Sequence, residues 1–115
     1  MSDATIDAAT FAELQDSAGA DFVKELVQTF LEEAPAMLSE LRESLAAGQA
    51  DAFRRAAHSL KSNSLAFGAG PLAALARDLE LSAGPVVRGE RPAALDALAA
   101  EERRVGAALR ALAHD

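Results

Sequence analysis

Apolar residues return every three or four positions along most of this chain, and the places where that rhythm stops divide it into a short helical stretch followed by four longer ones. Ile6 and Phe11 flank Asp7 with the spacing of a hydrophobic staple over an N-cap, which predicts a first helix from about Ala8 to Gln15, with Gly19 ending the connection. From Asp21, the apolar positions Phe22, Leu26, Phe30, Ala34, Met37, Leu41 and Leu45 predict one long helix up to Gly48. Pro35 lacks a backbone donor, so a kink or a break into two collinear helices is expected there.

The segment Gly48-Gln49-Ala50-Asp51 reads as a turn ending in an N-cap, and a helix follows from about Ala52 to Phe67, with its stripe on Phe53, Ala56, Ala57, Leu60, Ser64 and Phe67. Gly68 fits the C-cap. Gly70-Pro71 starts another helix, because proline is preorganised for a first turn, and Leu72, Leu75 and Leu79 carry it to about Ser82. Ala83 to Arg91, with two glycines and a proline, reads as the longest loop. Pro92 opens the last helix on Leu95, Leu98, Glu102, Val105, Leu109 and Leu112; Glu102 breaks its apolar seam, which predicts a turn that is only partly buried. Helices with one apolar stripe each and short connections pack as an antiparallel up-down four-helix bundle, here with the short N-terminal helix added.

Composition agrees with an all-α domain. The 115 residues suit a single domain spanning 1–115, and 29 of them are alanine, the best helix former. There is no cysteine, so no disulfide framework or cysteine-based zinc site exists. No apolar run approaches the ~20 residues of a membrane span and Met1 to Asp7 does not resemble a secretion signal, so a monomeric cytoplasmic protein is expected.

Charge changes the picture at one place. The net charge is −7, yet Ala52 to Arg77 contains Arg54, Arg55, Lys61 and Arg77 and no carboxylate. His58 lies in this cationic stretch, outside the apolar stripe, with Arg54 one turn before it and Lys61 and Ser62 one turn after it. So small a patch on an acidic protein does not suit nucleic acid, which needs a broad basic surface, but it suits a single phosphoryl group or the acidic pocket of a partner. Like-charge repulsion from Arg54 and Lys61 is expected to favour the neutral, nucleophilic imidazole. The same cations and the Ser62 hydroxyl can donate to phosphoryl oxygens. Glycines at Gly68 and Gly70 match the loose dinucleotide pattern G-x-G-x-x-A, but a helix precedes them where that fingerprint needs a strand. His114 is read as a tail residue.

The segment His58-Ser59-Leu60-Lys61-Ser62-Asn63-Ser64, followed by Gly68-Ala69, resembles the H-x-L-K-G-S-S…G-A signature of histidine-containing phosphotransfer (HPt) domains. The resemblance implies a helical bundle that accepts a phosphoryl group on His58 and passes it between response-regulator receiver domains. It implies an orienting role for Lys61, and a docking surface around the histidine that would include Arg54, Ser62, Leu65 and Gly68. The expected partners are receiver domains and a sensor or hybrid histidine kinase. No cofactor is expected on this chain, with Mg²⁺ belonging to the receiver. Ser62 stands where the family usually has glycine, and Asn63 replaces a small residue. A helical adaptor that binds a receiver or kinase without being phosphorylated is the alternative, and neither reading assigns independent kinase or phosphatase turnover.

Overall fold

A computed structural model describes residues 5–90 and 93–113. Among these residues six helices run in order: α1 (Ala8–Ala18), α2 (Ala20–Ala47), α3 (Ala50–Ala66), α4 (Gly70–Leu81), α5 (Ala83–Val87) and α6 (Ala94–Ala113). Helices α2, α3, α4 and α6 form the bundle, each packing on its two neighbours in the cycle α2-α3-α4-α6. The fold is thus the all-α bundle that the periodicity predicts. Phe53, Leu41, Leu60, Leu72, Leu79, Leu98 and Leu109 are its largest fully buried side chains, and Phe30 meets Phe67 edge to face at 5.6 Å.

The first helix begins as its sequence predicts. The Asp7 carboxylate accepts from the Thr10 backbone at 3.0 Å, and Ile6 and Phe11 are both buried. It continues to Ala18, three residues beyond Gln15.

Several expectations need correction. Phe22 is half exposed, because the inward face of α2 follows Val23 with Phe30, and Val27 with Ala34 and Leu41, in seven-residue steps that Phe22 does not share. Helix α2 runs unbroken through Pro35, so the break into two collinear helices does not occur. Asp51 is not the N-cap of α3: Gln49 holds that place, and Asp51 sits in the first turn, where its charge suits the helix dipole. The segment after Ser82 is not all loop. Pro85 falls in the first turn of α5, where a missing N–H is harmless, and Ala83 and Val86 bury against the core. Glu102 is buried together with Glu101, whereas Leu112 is exposed; burial on α6 follows position along the bundle, and Glu102 lies near the helix middle. Pro92 and His114 lie outside the described residues.

The turn between α3 and α4 fixes the register of the bundle. The Gly68 amide donates to the Leu65 carbonyl at 3.1 Å and the Ala69 amide to the Ser64 carbonyl at 2.9 Å, the two bonds of a Schellman ending with Gly68 at φ +77°. The Gly68 carbonyl in turn accepts from the Asp7 amide at 2.8 Å, so α1 is stitched onto this turn. A Cβ on Gly68 would stand 2.8 Å from Thr10 Cβ. Gly48 has a similar φ of +67° but open space around it. Gly48→Ala should therefore destabilise by the left-handed backbone penalty alone, about 1 to 2 kcal/mol, and Gly68→Ala by clearly more in urea titrations. Equal losses would mean that α1 does not press on the turn. Leu60→Ala, which empties a fully buried site, should destabilise by about 2 to 5 kcal/mol.

Candidate functional site

Helices α3 and α4 run antiparallel from this turn, so residues equidistant from Ala69 come opposite one another. His58 and Glu80 are such a pair, eleven residues either side. Lys61 and Arg77 are another, and Leu65 and Ala73 a third. The His58 Nδ1 lies 2.9 Å from Glu80 Oε2, and Lys61 Nζ lies 2.8 Å from Glu80 Oε1. One carboxylate thus bridges the two residues that the sequence singles out. Its side chain is only 19% exposed, against 58% for His58, so the carboxylate forms the floor and the imidazole the rim.

This geometry revises the electrostatics expected from sequence. Lys61 is engaged by Glu80, and Arg54 pairs with Asp51 at 2.5 Å, one turn back on the same helix. The histidine is therefore met by a carboxylate, not surrounded by unbalanced cations. The Lys61 ammonium and then the His58 ring, both bonded to Glu80, hold its carboxyl below the usual glutamate range.

An anionic Glu80 can only accept a hydrogen bond. A neutral His58 that meets it through Nδ1 must donate from that nitrogen, which leaves the lone pair on Nε2. A second-row contact of this kind fixes both tautomer and ring orientation.

The other predicted residues divide between two places. Ser62 is exposed on α3, one turn beyond His58. Leu65 is 57% exposed and lines a shallow groove between α3 and α4 with Lys61, Gly70, Ala73, Ala74 and Arg77, about 230 Å³ in volume. Gly68, two residues past the end of α3 and far from His58 in the turn, is turned toward Thr10 and Asp7 of α1. Asn63 faces α2, with its amide 3.7 Å from Met37 Sδ. It therefore leaves the His58 surface clear.

Glu80 is the site residue that sequence reasoning misses, because it lies beyond the carboxylate-free stretch. The signal is nonetheless present: reflecting α3 about a turn centred on Ala69 puts Glu80 opposite His58.

The family model for the Hpt domain matches residues 25–115. The crystal structure of histidine-containing phosphotransfer protein B (HptB) from Pseudomonas aeruginosa PAO1 matches with a TM-score of 0.88 and 30% sequence identity, over 98% of this chain and 97% of that one. No curated protein matches the sequence. The chain belongs to the Hpt domain family, the phosphotransfer proteins of phosphorelay signalling.

Two outcomes follow from the Glu80 bridge. Nitrogen NMR of neutral His58 should show the proton on Nδ1, and Glu80→Gln, whose amide can present a donor or an acceptor, should weaken that preference. Because its folded-state value lies below the unfolded one, Glu80 contributes stability that is present above the ordinary glutamate range and lost as pH falls through its lowered value. Glu80→Gln should flatten that acid limb in urea titrations; an unchanged limb would mean that the bridge is not formed in solution.

Proposed function

We propose that His58 is the phosphoryl acceptor of this domain, taking the group on Nε2 from the phospho-aspartate of a receiver domain, or from a histidine kinase, and delivering it to another receiver. The observation that carries this reading is the exposed imidazole held through Nδ1 by Glu80. In the transfer, the Nε2 lone pair attacks phosphorus, the bond from phosphorus to the aspartyl oxygen breaks, and the carboxylate leaves with its electron pair. The proton stays on Nδ1. The ring becomes positively charged as the new bond forms, and the Glu80 carboxylate lies where that charge develops.

Lys61 orients the phosphoryl oxygens, and its tie to Glu80 limits how strongly it can hold them. Weak holding suits a relay, since the group must leave again for the next receiver. Mg²⁺ belongs to the receiver's own site in this reading. Ser62, Leu65 and the α3–α4 groove form the docking surface, with Leu65 as its apolar anchor and Arg77 opposite an acidic receiver pocket. Gly68 shapes the helix end beneath this surface, and Arg54 is a rim charge. A monomer acting in the cytoplasm completes the proposal.

Incubation with a phosphorylated receiver should label the wild type in an acid-labile, base-stable form, and His58→Gln should remain folded and take no label. Label on the mutant would falsify the assignment. Lys61→Ala should still be labelled, but more slowly. Ser62→Gly should be tolerated, whereas Ser62→Arg should slow transfer by on the order of 100-fold with little change in stability, because in-line attack does not tolerate a displacement of about 1 Å. Wild-type transfer rates in Ser62→Arg would move the docking surface elsewhere.

A further inference from the structure

A second unusual carboxylate lies on another seam of the bundle. Glu102 of α6 is 9% exposed, and its Oε1 is buried without a hydrogen-bond partner among the described residues. It opens on a crevice of about 300 Å³ between α2 and α6 that is also lined by Leu31, Ala34, Pro35 and Gly106, with Arg103 and Arg110 at its edge. The charges facing it are Arg42 from α2 and Arg103 from α6, with Arg110 across the crevice, yet none of them forms an ion pair with it among the described residues. Burial outweighs those cations and pushes the Glu102 carboxyl up to about 7.

The same crevice holds the one place where α2 lacks a ladder donor. Pro35 has no N–H to close on the carbonyl of Leu31, four residues earlier. A protonated carboxyl is a donor, and a carbonyl deprived of its helical partner is an acceptor.

We propose that Glu102 is a proton-operated latch across the α2–α6 seam: protonated, its O–H is donated to the Leu31 carbonyl that Pro35 leaves free; deprotonated, it leaves an unpaired buried charge that loosens the seam. The step is a proton exchange with solvent, with no other reactant. Helix α6 packs on α2 and α4, so the latch acts on the far side of α2 from the His58 surface. Its consequence is a bundle that closes more tightly on α6 as pH falls from about 8 toward 6.

The folded state binds the Glu102 proton more tightly than the unfolded chain, so this stabilisation is full below the ordinary glutamate range and is lost as pH rises through about 7. Carbon NMR of the Glu102 carboxyl in the wild-type domain gives the midpoint directly, and it should lie near 7. Urea titrations of the wild type between pH 5 and 8.5 should show the unfolding constant rising by on the order of 10- to 100-fold. Glu102→Gln, whose amide donates at every pH, should remove most of that rise.

Pro35→Ala supplies an N–H to Leu31 and removes the need for a donor, so the Glu102 midpoint should fall below its wild-type value while burial still holds it above the ordinary glutamate range. A wild-type midpoint at that ordinary value, or a pH response retained in Glu102→Gln, would overturn the latch. A midpoint unmoved by Pro35→Ala would overturn its assignment to the Leu31 carbonyl.

Discussion

The turn at Gly68 and Ala69 sets the geometry on which the His58 surface depends. It reverses the chain with a left-handed glycine, pins the α1 N-cap through the Gly68 carbonyl, and starts α4 at a fixed register against α3. Every residue of the site is then placed by counting outward. His58 meets Glu80, Lys61 comes level with Arg77, and Leu65 with Ala73. A shift of a single residue in this register would rotate Glu80 by about 100° around α4 and remove it from the imidazole.

The chemistry that results is a balance among three side chains. An exposed histidine flanked only by cations would hold an incoming phosphoryl group tightly and have no partner for the positive charge that develops on its ring. In the proposed transfer Glu80 would be that partner, and it pairs with Lys61 as well. In the proposed relay neither the free nor the phosphorylated form should be a deep minimum, and shared pairing at one carboxylate suits that requirement.

Much of this was legible in the chain. The stripe through Phe53, Ala57, Leu60 and Ser64, the Asp7 cap with its Ile6 and Phe11 staple, and the displacement of His58 from the apolar face all follow from local spacing. What local spacing does not show is decided between helices. Phe22 and Val23 are adjacent and both apolar, and only the seven-step register of the whole of α2 selects Val23. Glu80 is an ordinary helix surface residue until α4 is folded back on α3. Glu102 is polar yet buried because it lies midway along a helix whose neighbours bury it. Ala83 to Val87 became helical by packing on the core, against a composition that favours a loop.

The contact with Glu80 at Nδ1 should commit His58 to chemistry at Nε2. The most direct measurement is phosphorus and nitrogen NMR of the nitrogen-labelled domain after phosphorylation by a receiver. Phosphorus coupled to Nε2 of His58, with a proton retained on Nδ1, is the expected result. Phosphorus on Nδ1, or on any other residue, would contradict it.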